Sequence, residues 1–189
     1  MKGAMSKLEL SFVIPVYNEA GSLEQLHREL LETLQELPRL RNYEIIYVDD
    51  GSTDGSYEIL SGFLTGNVHV HRFSENRGKS AALDFGIRQT SYPLLVTMDS
   101  DLQDVPSELN KLLSLKEEGF NIVSGFKSDR KDGVFIVFLS RLTNKILSLL
   151  YGMPIQDVNS GYKVMDKMIF KDIYLFTGFH RYIPLLALN

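Results

Sequence analysis

The stretch LLVTMDSDLQD, residues 94–104, joins an apolar run to three carboxylates that fall within six residues of one another. The apolar run has the length and composition of a buried strand. Carboxylates this close repel one another and destabilise a fold unless a cation or strong hydrogen-bond donors compensate them. The stretch therefore indicates either a solvated turn at the end of a strand or a site that holds something positively charged.

The composition fits one globular domain over residues 1–189. The chain has 189 residues, of which 44% are hydrophobic, and a formal net charge of −4. A net negative charge argues against a surface built to hold the phosphates of nucleic acids. The absence of cysteine excludes disulfides and cysteine-based zinc sites, and it is typical of a reducing compartment.

The sequence predicts a protein that stays on the cytosolic side of a membrane. Its first ten residues, MKGAMSKLEL, have no apolar segment of the kind that secretory signals carry. No run in the chain approaches the roughly 18 consecutive apolar residues that a membrane-spanning helix requires. Membrane contact, if it occurs, would have to be peripheral.

Strand-like and helix-like segments alternate along the chain. Strands are predicted at 10–15, 43–48, 68–73, 94–98 and 121–126, and helices at 23–34, 57–64, 78–89 and 106–119. Ser22 and Gln25 have the spacing of a capping box at the start of the first helix. The alternation predicts an α/β fold with a mainly parallel central sheet flanked by helices, in which ligands bind beyond the carboxyl ends of the strands.

Three of the predicted strands end in polar motifs, namely PVYNE at 15–19, VDDGSTD at 48–54 and MDSDLQD at 98–104. If the strands are parallel neighbours, their ends meet at one edge of the sheet. The carboxylates brought together there would be Asp49, Asp50, Asp99, Asp101 and Asp104. Carboxylate and amide oxygens suit a hard divalent ion such as Mg²⁺ or Mn²⁺, which commonly binds through substrate phosphates. The three motifs together therefore predict a site for a metal-bound diphosphate.

The nucleotide-binding signatures of other folds are missing from the sequence. There is no G-x-G-x-x-G after the first strand and no G-x-x-x-x-G-K-[ST], because Phe73 stands where the first glycine of the latter would precede Gly78-Lys79-Ser80. Taken alone, VDDGSTD is more often a solvated turn, and MDSDLQD is a turn about as often as a site. Their convergence with PVYNE favours the functional interpretation.

The motifs PVYNE, VDDGSTD, ENRGKSAAL and DSDLQD, in this order and spacing, resemble those of the inverting glycosyltransferases of family 2, which have the GT-A fold. The LQ after the D-x-D, the stretch DVNSGYK and the closing GFHRYIPLLA are similar to the polyprenyl-phosphate branch, which includes dolichol-phosphate mannose synthases and undecaprenyl-phosphate sugar transferases. The resemblance covers about the whole chain. It implies a metal-dependent enzyme of cell-envelope glycan biosynthesis that moves a sugar from a UDP-sugar or GDP-mannose to a polyprenyl phosphate at the inner face of the cell membrane.

The resemblance also implies roles for individual residues. Nucleotide-sugar binding is expected of Pro15, Tyr17, Glu19, Asp50, Asn76, Gly78, Lys79 and Asp99. Binding of Mg²⁺ or Mn²⁺ is expected of Asp99, Asp101 and Gln103, and catalytic roles of Asp99, Asp101 and Asp157. The phosphates of donor or acceptor would be held by Lys127, Arg130, Lys131, Lys163 and Arg181. Lys163 departs from the many relatives that carry arginine at its position.

Residues 134–151, VFIVFLSRLTNKILSLLY, predict a helix with one narrow polar stripe, formed by Arg141, Asn144, Lys145 and Ser148. On pattern alone, the wide apolar face suits the core, a second copy of the chain or a membrane interface equally well. The family resemblance favours the membrane interface. Polyprenyl-phosphate relatives often carry hydrophobic helices at the C-terminus, so we expect this chain to be a catalytic domain that lacks such a segment.

Several interpretations stay open at the level of sequence. His27 is expected on the solvent-facing side of the first helix, and His180 near the site. Tyr162 either contacts the acceptor or packs in the interior, and Asp104 either binds the site or caps the helix that begins at Pro106. Two other functions remain, namely transfer to a soluble or polysaccharide acceptor, and a non-catalytic domain that binds a nucleotide sugar or a membrane partner without turnover.

Overall fold

The computed structural model describes residues 7–125, 160–175, 178 and 183 of the chain. The strands in these residues are β1 (Leu8–Val16), β2 (Leu40–Asp49), β3 (Val68–Arg72), β4 (Leu94–Thr97), β5 (Ile122–Ser124) and β6 (Lys163–Asp166). The helices are α1 (Leu23–Gln35), α2 (Ser56–Ser61), α3 (Lys79–Gln89) and α4 (Leu109–Glu117), with 3₁₀ turns at Pro106–Glu108 and Lys167–Phe170.

The strands form one six-stranded sheet in the order β3-β2-β1-β4-β6-β5. Strand β1 pairs in parallel with both β2 and β4, and β2 pairs in parallel with β3. Strand β6 was not predicted from the sequence, and it runs antiparallel to both β4 and β5. The predicted α/β fold with a mainly parallel sheet is confirmed, with the short antiparallel strand β6 inserted between β4 and β5.

The core lies on both faces of the sheet, because β1 is buried along almost its whole length. On one face the leucines that the helical spacing of α1 predicted, Leu23, Leu26, Leu30 and Leu34, are all buried in the same cluster as Phe12 and Ile14 of β1. Complete burial of a leucine side chain stabilises a fold by about 1.5–3 kcal/mol. This face therefore anchors α1 and fixes the point at which the chain leaves β1.

Helix α3 packs on the other face of the sheet and comes unusually close to it. A Cβ atom added at Gly86 would lie 2.5 Å from Cγ1 of Val13 and 3.1 Å from Cγ2 of Val48. Leu83 and Ile87 of the same helix are buried against Val13. Because no larger residue fits at position 86 without moving the helix, the distance between α3 and the sheet depends on this glycine.

The predicted capping box at the start of α1 is wrong. Ser22 is the N-cap residue, but its side chain makes no capping hydrogen bond. Its hydroxyl is directed to the backbone carbonyl oxygens of Ser100, at 2.7 Å, and Glu19, at 2.9 Å. Gln25 instead donates to Glu29 one turn later. The serine therefore ties the start of α1 to the loop after β4.

His27 is not solvent-facing, contrary to the prediction. Its ring stacks on Phe63 with centroids 4.1 Å apart, and its Nδ1 lies 3.0 Å from the hydroxyl oxygen of Tyr47. The segment after α2 covers this side of α1, which the helical pattern of α1 alone does not reveal. Burial lowers the pKa of His27 and raises the pKa of Tyr47.

The half-buried position of His27 predicts a pH-dependent stability. Because its pKa in the folded state lies below its unfolded value, His27 contributes stability above the unfolded pKa that is lost as pH falls through the folded pKa. We expect the melting temperature of the wild type to fall more steeply than that of His27→Gln between about pH 7.5 and pH 5.5, measured by calorimetry. Asn110→Gln, a neutral change at an exposed position, is the control and should keep the wild-type slope. Equal slopes for the wild type and His27→Gln would contradict the prediction.

Candidate functional site

A cleft of about 230 Å³ opens at the carboxyl ends of β1, β2 and β4. It is lined by Pro15, Val16, Tyr17, Glu19, Asp50, Asn76, Gly78, Lys79, Asp99, Ser100 and Asp101. The lining includes every residue for which the sequence predicted nucleotide-sugar binding, together with both aspartates of the D-x-D. The parallel strand order thus brings the motifs of three strand ends into one space, as the topology of α/β sheets requires.

The PVYNE motif is joined to the VDDGSTD motif by hydrogen bonds between backbone N–H groups and side-chain oxygens. The N–H of Asn18 donates to Oγ of Ser52 at 2.9 Å, and Oδ1 of Asn18 accepts from the N–H of Thr53 at 2.9 Å. Asn18 has a φ of 54°, a left-handed conformation that asparagine adopts more readily than most residues. The N–H of Glu19 donates to Oγ of Ser56. Asn18 was not singled out from the sequence, although an asparagine directly after a strand is a signal for such a turn.

Asp50 is buried and forms part of the wall of the cleft. Its Oδ1 accepts from the N–H of Arg77 at 2.7 Å, and its Oδ2 accepts from the N–H of Gly78 at 2.9 Å. Next to it, Gly51 has a φ of 75°, and a Cβ there would lie 2.6 Å from the backbone carbon of Glu75. The turn after β2 and the loop before α3 therefore form one rigid unit.

Asp49 does not join the other carboxylates, contrary to the sequence prediction. It is the last residue of β2, and successive side chains of a strand point to opposite faces. Its Oδ1 accepts from the N–H of Ser52, and its Oδ2 lies 3.2 Å from Nε of Arg72. The Oδ2 atom has no hydrogen bond of good geometry, so the contact with Arg72 is an ionic one. Asp49 is therefore a buried structural residue beside the cleft.

The loop after β4 positions the two aspartates of the D-x-D. The N–H of Asp99 donates to Oδ2 of the buried Asp104 at 3.0 Å, and Oδ1 of Asp101 accepts from the N–H of Gln103 at 3.0 Å. Leu102 between them has a φ of 60°. The 3₁₀ turn at Pro106–Glu108 has no side-chain cap. Asp104 therefore holds the backbone of Asp99 in place.

The carboxylate of Asp99 lies between a lysine and a glycine. Its Oδ1 is 2.5 Å from Nζ of Lys79, the first residue of α3. On another side it packs so closely on Gly161 that a Cβ there would overlap the carboxylate. The carbonyl oxygen of Gly161 accepts from the hydroxyl of Thr97 at 2.8 Å, which fixes the glycine against β4. The sequence did not predict this role for Gly161.

Two residues of the DVNSGYK stretch lie in the interior. Tyr162 is buried and donates its hydroxyl to the carbonyl oxygen of Pro106 at 3.0 Å. Burial raises the pKa of Tyr162, and the nearby charges of Asp104 and Glu108 raise it further. Tyr162 therefore packs in the core. Lys163 is 3% exposed, and its ammonium group donates to the carbonyl oxygen of Ser160, so the structure places it away from the cleft lining.

The remaining predicted residues are distributed as follows. Gln103 is exposed next to the cleft. Six predicted residues and the helix predicted at 134–151 lie outside the described residues; the six are Lys127, Arg130, Lys131, Asp157, His180 and Arg181. Within the described residues, no group of three or more His, Asp or Glu side chains is arranged to hold a metal ion.

A search of curated proteins finds relatives over nearly the whole chain. The undecaprenyl-phosphate 4-deoxy-4-formamido-L-arabinose transferase of Yersinia enterocolitica is 32% identical over 182 residues, which cover 95% of this chain and 55% of the relative. Its counterpart in Yersinia pestis is 31% identical over the same length. The chain thus spans about half the length of the curated relatives that it matches.

Solved structures share the fold. Mannosyl-3-phosphoglycerate synthase from Rubrobacter xylanophilus has a TM-score of 0.68 at 20% identity, covering 86% of this chain and 54% of that one. A mannosyltransferase from Pyrobaculum calidifontis, solved with GDP-Man and Mn²⁺, has a TM-score of 0.63 at 18% identity, covering 88% and 47%. The predicted GT-A fold is confirmed. The family model of glycosyl transferase family 2 matches residues 11–174, and the chain belongs to that family.

Proposed function

We propose that this domain catalyses metal-dependent transfer of a sugar from a nucleotide sugar to a polyprenyl phosphate, with inversion at the sugar. The observation that carries the proposal is the cleft, which combines an aromatic side chain, a carboxylate held by backbone groups, a lysine at a helix start and the two aspartates of the D-x-D. Membership of family 2 supports the class of reaction. The Yersinia relatives, named for an undecaprenyl-phosphate acceptor, support the class of acceptor.

The cleft offers groups for each part of a nucleotide diphosphate. Tyr17 is 47% exposed at the cleft and presents an aromatic face on which a base can stack. Each oxygen of Asp50 has a second lone pair that can accept from a ring N–H of the base. Lys79 and the N-terminus of α3 can hold phosphate oxygens. These groups suit a UDP-sugar and GDP-mannose alike.

The donor set at the D-x-D fits a hard divalent cation. Asp99 and Asp101 line the same cleft with carboxylate oxygens, and Gln103 stands next to them. One or two protein carboxylates are what Mg²⁺ typically takes when substrate phosphates and water complete its shell. When bound, Mg²⁺ or Mn²⁺ would supply Lewis-acid stabilisation of the leaving diphosphate.

The proposed reaction is a direct displacement in which the anionic phosphate of the acceptor is the nucleophile. A phosphate oxygen of the lipid bonds to the anomeric carbon from the face opposite the donor, while the bond between that carbon and the diphosphate oxygen breaks and releases the nucleoside diphosphate. A lipid phosphate is already anionic at neutral pH, so the enzyme requires no strong general base. The acceptor side is assigned to the predicted residues Asp157, Lys127, Arg130 and Arg181, since Lys163 is buried away from the cleft lining.

We also propose that the domain works at the inner face of the cell membrane, because its acceptor is a lipid. The predicted helix at 134–151 is the candidate for membrane contact, and its apolar face would equally suit a homo-oligomer. Among the helices that the structure describes, none has the length and hydropathy to cross a bilayer.

The proposed function predicts the fate of a labelled sugar. The assay contains purified protein, Mn²⁺ and detergent-solubilised undecaprenyl phosphate, and it tests labelled UDP-sugars and GDP-mannose as donors. We expect label in the organic phase and an equal amount of nucleoside diphosphate. Chelation of the metal should stop both. Label that enters only a water-soluble glycan would indicate a soluble acceptor, and nucleotide binding without release for any donor would indicate a non-catalytic domain.

Asp101→Asn should abolish turnover without harming the fold. Asparagine keeps an oxygen that can accept from the N–H of Gln103, but it removes one charge from the cleft. We expect the transfer rate to fall by about a hundredfold or more, because the metal loses a ligand. The melting temperature should be unchanged or higher, because repulsion between carboxylates is relieved. Asp172→Asn, the same change at an exposed position, is the control and should leave both quantities unchanged. A large loss of stability in Asp101→Asn would assign the carboxylate a structural role instead.

Gly161→Ala should weaken the site through Asp99 alone. The added methyl group would displace the Asp99 carboxylate, which can rotate out of the way, so the cost falls on the position of the metal ligand and not on the core. We expect affinity for Mn²⁺ with UDP or GDP to fall by about tenfold or more, with a melting temperature close to that of the wild type. Gly21→Ala is the matched control, because a Cβ there meets no atom within 4 Å. Wild-type affinity in Gly161→Ala would contradict the prediction.

A further inference from the structure

The ion pair between Lys79 and Asp99 joins the two sides of the cleft. Nζ of Lys79 lies 2.5 Å from Oδ1 of Asp99, and the two side chains are 36% and 14% exposed. Among the described residues that line the cleft, Lys79 is the single lysine or arginine, against the carboxylates of Glu19, Asp50, Asp99 and Asp101. A side chain of the chain itself therefore supplies part of the positive charge that the sequence indicates beside the D-x-D.

Two contacts of Asp99 lie on other sides than this lysine. Gly161 packs directly on one side of its carboxylate, and Asp104 holds its backbone N–H. Lys79 lines the same cleft and contacts Oδ1 of Asp99. A cation that approaches Asp99 from the cleft therefore competes with the ammonium group for the same carboxylate.

Lys79, in contrast, can move at its tip while its backbone stays fixed. The backbone N–H of the preceding residue, Gly78, donates to the carboxylate of Asp50. The rest of α3 packs on the sheet through the close contact at Gly86. The lysine side chain carries its point charge on a flexible four-carbon stem, and its three donors bind phosphate as well as carboxylate oxygens. A diphosphate in the cleft would offer the ammonium group a second anion within reach of the same backbone position.

We propose that Lys79 is an internal counter-ion of the D-x-D, which holds Asp99 while the donor is absent and moves to the donor diphosphate when a nucleotide sugar binds. This inference rests on the proposed function and assigns a positioning role to one of its residues. Its consequence is that a divalent cation alone binds weakly, because it must displace Lys79 from Asp99 without giving the ammonium group another partner. Metal and nucleotide then bind cooperatively, each improving the affinity for the other by the same factor.

The test is a titration with Mn²⁺ alone, followed by electron paramagnetic resonance, in which no nucleotide, sugar or lipid is present. We expect Lys79→Met to bind Mn²⁺ more tightly than the wild type by at least about fivefold, the lower end of ordinary coupling between sites. Lys79→Arg keeps the positive charge and should retain the weak binding of the wild type. With saturating Mn²⁺, UDP and GDP should bind Lys79→Met more weakly than the wild type, because the diphosphate has lost its lysine.

The loss of one positive charge needs its own control. Arg77→Met removes a charge two residues from Lys79, and the Arg77 side chain is exposed and lies over the ring of Phe73. Its affinity for Mn²⁺ should stay within about twofold of the wild type, because surface charges are screened. Melting temperatures of all variants establish that each is folded, and Lys79→Gln serves as a second neutral variant.

Three outcomes would overturn the inference. They are an affinity of Lys79→Met for Mn²⁺ that is equal to or lower than that of the wild type, the same gain of affinity in Arg77→Met, and no Mn²⁺ binding in any of the proteins. The proposed function is judged separately by transfer of labelled sugar to lipid. Transfer without the expected Mn²⁺ effect would refute the role of Lys79 alone, and the Mn²⁺ effect without transfer would refute the enzymatic proposal alone.

Discussion

Parallel pairing of β1 with β2 on one side and with β4 on the other is the constraint on which the cleft depends. Val16 pairs with Asp49 at the end of one ladder, and Val13 pairs with Thr97 at the end of the other. The residues that follow these ends must therefore leave the sheet in the same direction. If β4 ran antiparallel to β1, the D-x-D would lie at the opposite edge, a strand length away at about 3.3 Å per residue.

Most of this sheet could be predicted because β1, β2 and β4 contain continuous apolar runs and β3 alternates apolar and polar residues, with helical segments between them. Strand β6 could not, since it is short, follows a long intervening segment and contains a lysine that the sequence presents as polar but the structure buries. Its partners β4 and β5 precede it by tens of residues. Pairing over such separations is set by the tertiary fold and leaves no local pattern.

The members of the site were predictable from motifs, but their contacts with one another were not. Adjacent aspartates have the same chemistry, yet the pleat sends Asp49 into the interior and Asp50 to the cleft wall. The hydroxyl of Ser22 and the backbone of Gly161 act on the loop after β4 from distant parts of the chain. His27 was placed wrongly for a related reason, because the covering residue Phe63 belongs to a different element. Side-chain surroundings of this kind depend on packing between elements.

The close seating of α3 at Gly86 has a mechanical consequence for recognition. Helix α3 and the sheet are in van der Waals contact at Gly86 and cannot come closer. The distance from the start of α3 to the end of β4 is therefore fixed by packing in the core. Substitutions in the exposed loop before α3 can change which chemical groups contact a ligand without altering that distance. A change in the width of the cleft between α3 and β4 would therefore have to begin in the core, at the contact of Gly86 with Val13 and Val48.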